Sequence, residues 1–139
     1  MAQSVSQVMT RNPRTVRADA PVIEAARIMR EADVGPVIVV EDDHVAGVVT
    51  DRDIAIRAVA DGRDPSSTKV SDICSPDLTT VSPDDTIDSA VQLMREKHIR
   101  RLPVVEGGKP VGIVSIGDLA VEREPGSVLG DISAAEPNK

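Results

Sequence analysis

Two short segments of the chain end in the same set of residue types that could take part in chemistry. Each has a glycine, a small hydroxyl residue three positions later and an aspartate three positions after that: Gly47, Thr50 and Asp53, then Gly112, Ser115 and Asp118. An aspartate carboxylate can accept two hydrogen bonds from a vicinal diol, such as that of a ribose. The same spacing also forms a capping box, which stabilises a helix with no ligand. The residue types alone leave both interpretations open.

The elements around each motif predict where it lies. An apolar run at residues 37–40 and another at 45–49 are separated by a polar turn, which is the pattern of a hairpin. Residues 102–105 and 111–114 repeat it around a Gly-Gly turn. A helix is expected after each hairpin, over about residues 51–60 and 116–123. Each motif therefore lies where a strand meets a helix N-terminus, a place that favours anions.

The two motifs belong to an internal repeat without gaps. Asp118 follows Asp53 by 65 residues, and Gly112 follows Gly47 by the same number. An amphipathic helix is expected in each copy, around residues 22–29 and 87–94, and Gly35-Pro36 is expected to end the first. We expect an α/β (α+β) fold of two β-α-β-β-α repeats that pack as a pseudo-two-fold pair. The expected bounds are repeat 1 at 5–61, a linker at 62–69, repeat 2 at 70–123 and a C-terminal tail at 124–139.

Composition excludes several classes of function. The chain has no Phe, Trp or Tyr, so it has no aromatic side chains on which single-stranded bases could stack. Its formal net charge is -7, which argues against a nucleic-acid partner. No apolar run approaches the ~20 residues that span a bilayer, and the N-terminus does not resemble a secretory signal. We expect a cytoplasmic protein without a membrane partner.

No constellation of catalytic or metal-ligating residues is evident. His44 and His98 lie in different settings, and the carboxylates of residues 41–43 fall in a hairpin turn, where they are expected to be solvated. The single cysteine, Cys74, corresponds to Met9 in the repeat and is expected to be a small buried residue. We expect no enzyme activity, no metal and no required cofactor.

The repeat resembles a tandem pair of CBS domains, the regulatory motif named for cystathionine β-synthase. Residues 47–53 and 112–118 match the Gly-h-h-Thr/Ser-x-x-Asp signature of that family, and residues 37–40 and 102–105 match its preceding strand. The resemblance covers about residues 5–123 and extends to small stand-alone CBS-pair proteins of bacteria. It implies two clefts between the repeats that bind AMP, ADP, ATP or S-adenosylmethionine.

The resemblance also implies roles for individual residues. Asp53 and Asp118 would bind ribose hydroxyls, and Thr50 and Ser115 would bind ribose or phosphate. Adenine would lie among aliphatic side chains and backbone in two places: Thr15-Val16 and Thr80-Val81.

Phosphate binding needs positive charge, and Arg100 and Arg101 occupy the position at which members of the family place a basic pair. The family pattern directs this pair to the Thr50–Asp53 cleft. The matching residues of the first copy, Gly35-Pro36, carry no charge, so we expect the Thr50–Asp53 cleft to be the stronger phosphate site. The alternative is that the arginines are a solvated helix end. Arg52 is a further candidate, although this position often faces solvent.

Two functions therefore stay open. The first is a sensor module that binds an adenosine nucleotide and changes its packing or its contact with an unidentified protein partner. The second is a structural dimerisation module in which the motifs are only helix caps. The family pattern implies a homodimer in either case.

Overall fold

The computed structural model describes residues 4–74 and 78–123, so the expected tail at 124–139 lies outside the described residues. In chain order the strands and helices are β1 (Thr10–Arg11), β2 (Thr15–Arg17), α1 (Val22–Ala32), β3 (Val37–Glu41), β4 (His44–Val49), α2 (Asp51–Asp53), α3 (Ile87–Lys97), β5 (Arg101–Glu106), β6 (Lys109–Ser115) and α4 (Ile116–Arg123). A π-helical segment, Ile54–Val59, continues α2. Short 3₁₀ turns form at Val5–Gln7 and Val70–Asp72.

The strands form two three-stranded sheets. In the first sheet β2 pairs parallel to β3, and β3 pairs antiparallel to β4. In the second sheet the order is β1-β6-β5, with both pairs antiparallel. The first strand of the β-α-β-β-α order expected for repeat 2 is reduced to one parallel bridge between Val81 and Val104. The mixed α+β architecture expected from the two repeats is confirmed.

The chain divides into two compact units whose bounds differ from those of the sequence repeats. Residues 13–78 form one unit, and the residues before 13 join those after 78 in the other. Accordingly, Val5 is buried in the same core as Val81 and Leu102. Val70 and Ile73 are buried in the core of the unit 13–78. Each opening segment of the sequence repeat therefore packs in the unit formed by the other copy.

Helix α1 shows why these residues form a helix and where it ends. Val22, Ala25 and Met29 recur at helical spacing and are the buried face. The helix ends at Ala32 because Asp33 adopts a left-handed conformation with φ of 57°. It thus ends before Gly35-Pro36, where the sequence pattern placed its end. The backbone N–H of Asp33 donates a hydrogen bond to the Met29 carbonyl, as a left-handed C-cap does.

The two hairpins have the same turn geometry with different residues. Asp42 and Asp43 have φ of 52° and 65°, and the matching Gly107 and Gly108 have φ of 60° and 81°. Two successive left-handed residues are the pattern of a type I′ turn, whose twist suits a hairpin. Glycine adopts this conformation without a side-chain penalty, whereas aspartate does not. The backbone conformation of the turn is therefore the same in the two copies, although the residue types differ.

Candidate functional site

Thr50 and Asp53 hold each other at the junction of β4 and α2. The Thr50 hydroxyl accepts a hydrogen bond from the Asp53 N–H at 3.2 Å. The Oδ2 atom of Asp53 accepts one from the Thr50 N–H at 2.8 Å and one from the Thr50 hydroxyl at 3.1 Å. This reciprocal arrangement is a capping box, so the motif does stabilise the helix start.

Ser115 and Asp118 form the matching cap at the start of α4. The Oδ2 atom of Asp118 accepts a hydrogen bond from the Ser115 N–H at 2.9 Å. The Ser115 hydroxyl accepts one from the Asp118 N–H at 3.2 Å. The structure therefore brings together both pairs that the sequence motif singled out, each within its own unit.

Neither cap uses the whole carboxylate. Within residues 4–74 and 78–123, no group donates a hydrogen bond to the Oδ1 atom of Asp53 or of Asp118. Both aspartates are half-buried, so a ligand can reach each of them. An ionised carboxylate oxygen accepts further hydrogen bonds. Capping and ligand binding are therefore compatible at the same side chain.

The residues expected to surround adenine occupy corresponding places in the two units. In β2, Val16 is buried and Thr15 is exposed. Thr15 lies opposite Ile38, which in turn lies opposite Val48 of β4, so Thr15 is two strand spacings, about 10 Å, from the strand that leads to Thr50. Val81 is buried and Thr80 is exposed in the other unit.

The arginines lie at the start of β5, and both are exposed. Arg101 is directly opposite Ser115 in the β5–β6 pair, and the Arg100 carbonyl accepts a hydrogen bond from the Ile116 N–H at 2.8 Å. In the part of the chain that the structure describes, neither guanidinium forms an ion pair. Arg100 and Arg101 belong to a different unit from Thr50, so their service to the Thr50–Asp53 motif stays a prediction. Arg52 is exposed as well.

The structure adds two residues near Asp53 that the sequence did not indicate. Burial and then the negative charge of Asp53 raise the pKa of the Cys74 thiol, so the two side chains lie close enough to interact. Arg57 donates a hydrogen bond from Nη1 to the Ile73 carbonyl at 3.3 Å and partly offsets the effect of Asp53 on that pKa. Cys74 lies near Asp53 because the opening segment of repeat 2 packs in the unit formed by repeat 1. No sequence motif indicates this position.

Among the described residues, no group of three or more His, Cys, Asp or Glu side chains is arranged to hold a metal ion. None of the helices in those residues has the length and apolar character to cross a membrane.

Comparison with known proteins agrees with the internal repeat. The family model "CBS domain" matches residues 5–59 and 70–124. The CBS domain-containing protein YhcV of Bacillus subtilis is 42% identical over 134 residues, which are 94% of this chain and 95% of that protein.

Solved structures give the same result. A structure of a protein with CBS domains from Burkholderia ambifaria MC40-6 superposes with a TM-score of 0.78 and 34% identity, covering 89% of this chain and 96% of the other. A hexameric CBS-CP12 protein from bloom-forming cyanobacteria gives a TM-score of 0.76 and 31% identity over 88% of this chain and 72% of its own. The chain therefore belongs to the CBS domain family and carries two copies of that domain, a pair of the kind that generally acts as a regulatory module.

Proposed function

We propose that this CBS pair is a sensor that binds an adenosine-containing nucleotide of the AMP, ADP, ATP or S-adenosylmethionine class at one or both of its Thr/Ser–Asp motifs. The observation that carries the proposal is the unused Oδ1 atom of both Asp53 and Asp118, beside a cap that fixes each carboxylate. A carboxylate held in this way is pre-organised to accept hydrogen bonds from ribose hydroxyls. Pre-organisation favours binding because little side-chain entropy is lost when the ligand arrives.

The remaining parts of the ligand have candidate partners. Val16 and Val81 are buried, and the exposed Thr15 and Thr80 beside them are the candidate contacts for a purine. Arg100 and Arg101 are exposed and free of ion pairs among the described residues, so they can meet phosphate oxygens. A ligand changes the state of such a module only through its different affinities for two states. The proposal includes a protein partner that responds to the bound form, and a cytoplasmic location for both.

The sharpest test replaces Asp53 by Asn. The amide oxygen of Asn can still accept the Thr50 N–H, so the cap is retained, but an NH₂ group replaces the free acceptor. We expect the affinity for the bound nucleotide to fall by about tenfold or more, the cost of losing hydrogen bonds to a charged acceptor. Calorimetric titration with AMP, ATP and S-adenosylmethionine measures the change for Asp53→Asn and for the matching Asp118→Asn.

Asp51→Asn is the matched control. Asp51 lies in the same turn, is exposed and bonds only the Arg52 N–H, at 3.1 Å from Oδ1, within the described residues. It should leave the affinity nearly unchanged. Equal affinity of Asp53→Asn, Asp118→Asn and the unmodified chain for every ligand would contradict the assignment of the ribose sites. Since the chain has no Trp or Tyr, the adenine absorbance band of a nuclease-treated sample reports any nucleotide that remains bound during purification.

The second candidate function is an interaction module without a ligand. It is favoured by the apolar surface of the helical segment after Asp53, where Ile56 is 47% and Val59 is 66% exposed. We propose a homodimer that uses this surface. Sedimentation of the ligand-free chain should then show a dimer, and Val59→Asp should convert it to a monomer. A ligand-free dimer that binds none of the three nucleotides would favour this function over the sensor.

A further inference from the structure

An open cavity of about 510 Å³ lies in the unit 13–78, at the opposite end of its sheet from the Thr50–Asp53 motif. The β3–β4 hairpin runs from the pair Val37–Val49, next to Thr50, to the pair Glu41–His44 at the turn. Four residues of strand separate these pairs, which is about 13 Å. The residues of this hairpin that line the cavity lie at its turn, so the cavity is separate from the proposed nucleotide site.

Backbone hydrogen bonds fix the floor and the two rims of the cavity. The Ala18 N–H donates to the Val40 carbonyl at 2.9 Å, and the Ala18 carbonyl accepts from the Ser71 N–H at 3.0 Å. Ala18 thus lies between the hairpin and the segment that carries Lys69 and Ser71. Chains paired in this way are about 5 Å apart, so the two rims are separated by about 10 Å. Ala18 and Val40 give the floor an apolar character.

The rims carry opposite charges that do not meet. On the hairpin side are three carboxylates, those of Glu41, Asp42 and Asp43, and on the other side is the ammonium group of Lys69. In the described part of the chain, none of these four side chains has an ion-pair partner within 4.0 Å. The remaining charged pair of the cavity, Arg17 and Asp19, is already joined at 3.1 Å.

The fold does not require these charges. The repeat offset of 65 residues matches Asp42 and Asp43 with Gly107 and Gly108. The same offset matches Lys69 with Ser4. The glycine turn has the same left-handed backbone, which glycine adopts at lower cost than aspartate. The cavity in the unit 13–78 therefore carries charges that the matching positions of the other unit lack.

We propose that this cavity is a second ligand site, for a small zwitterion whose amine faces Glu41, Asp42 and Asp43 and whose carboxylate faces Lys69 and the Ser71 hydroxyl. The volume lies in the range of small-molecule sites. The gap between the rims suits a ligand that carries its two charges at opposite ends. The site does not depend on nucleotide binding, because none of its lining residues belongs to either Thr/Ser–Asp motif.

The test compares three probes with the same number of carbons: 5-aminopentanoate, pentylamine and pentanoate. Each is titrated into the ¹⁵N-labelled full chain, and amide chemical shifts report where it binds. 5-Aminopentanoate should shift the signals of residues 17–19, 40–43 and 69–71. It should bind up to about fivefold more tightly than either singly charged probe, because it gains an exposed ion pair at the second rim.

Two variants reduce the charge of one rim at a time. Lys69→Met should lower the affinity for 5-aminopentanoate to that for pentylamine. Asp42→Gly with Asp43→Gly leaves Glu41 and should lower the affinity towards that for pentanoate while keeping the turn. Glu106→Gln, the change at the position matching Glu41 in the other unit, should have no effect. The proposal is wrong if the three probes bind equally well, if the shifts fall elsewhere, if 5-aminopentanoate causes none, or if neither rim variant changes its affinity.

Discussion

The Oδ2 atom of Asp53 accepts hydrogen bonds from both the N–H and the hydroxyl of Thr50, at 2.8 and 3.1 Å. In the matching pair, Asp118 accepts from the Ser115 N–H at 2.9 Å. The carboxylate of Asp53 is thus oriented by its own neighbour before any ligand arrives. The same hydrogen bonds that start the helix therefore set the direction of the unused Oδ1 atom.

Replacing Thr50 by Ala should destabilise the protein by about 1 kcal/mol, the usual cost of losing an N-cap side chain. The alanine removes the acceptor of the Asp53 N–H and the hydroxyl donor to Oδ2. Urea unfolding followed by far-ultraviolet circular dichroism measures the change. Thr50→Ser keeps the hydroxyl, as Ser115 does in the other cap, and should restore most of the stability. Equal stability of Thr50→Ala and the unmodified chain would show that the cap contributes nothing.

Gly112 should tolerate no side chain. A Cβ atom there would lie 2.5 Å from the Met9 sulfur and 3.0 Å from the Thr10 carbonyl oxygen. Strand β1 pairs with β6 at this point, with Arg11 opposite Gly112, so the backbone cannot easily move away. We expect Gly112→Ala to lower the free energy of unfolding by about 1–3 kcal/mol, as overpacking in a core does.

A double-mutant cycle with Met9→Ala identifies the cause. If the Met9 side chain is the obstacle, part of the cost of Gly112→Ala should disappear in the Met9→Ala background. Gly35→Ala is the control, because its Cβ would meet the exposed Asp51 carboxylate at 3.2 Å, and that side chain can rotate. A loss at Gly35 as large as that at Gly112 would contradict this account.

The exchange of opening segments predicts which unit each core mutation weakens. Val5 and Val70 are equivalent in the repeat and fully buried, but they lie in the cores of different units. Val5→Ala should reduce amide hydrogen-exchange protection in β5 and β6, whereas Val70→Ala should reduce it in β2 and β3. Each truncation should cost about 1–3 kcal/mol. Loss of protection in each mutation's own sequence repeat, or equally everywhere, would contradict the assignment.

The sequence was sufficient to predict most of the local structure. The apolar runs and turn residues predicted both hairpins, and the spacing of Thr50 and Asp53 predicted their mutual hydrogen bonds. The exchange of segments could not be predicted, because Val5 and Val70 are the same residue type and suit either core equally well. The early end of α1 depends on Asp33, an exposed residue whose left-handed conformation has no sequence signal as strong as that of glycine.

The roles of individual charges were predicted least well. Cys74 was expected to be a small buried residue, and it is half-buried in a position where the charge of Asp53 reaches it. The carboxylates of residues 41–43 were expected to be solvated and are exposed, but the sequence did not indicate that they line a cavity opposite a lysine. Both results depend on which segments become neighbours in three dimensions, which the periodicity of apolar residues does not encode.

The Cys74 thiol should react slowly with iodoacetamide. Burial, followed by the charge of Asp53, raises the pKa of the thiol above its usual value, so less of it is in the reactive thiolate form near neutral pH. A raised pKa in the folded state stabilises the protein while the thiol is protonated, and this contribution is lost as the pH rises through the folded pKa. The alkylation rate of the native chain should therefore rise at higher pH than that of the urea-unfolded chain.

Asp53→Asn separates the charge of Asp53 from burial and from the smaller effect of Asp72 on this pKa. Removing the charge of Asp53 should lower the pKa of Cys74 and speed alkylation at a fixed pH, while burial stays the same. Asp51→Asn does not remove a charge that acts on the thiol and should leave the rate unchanged. If Asp53→Asn reacts no faster than the unmodified chain, burial and the charge of Asp72 hold the thiol protonated without Asp53, and the electrostatic link between Cys74 and the candidate ribose site is absent.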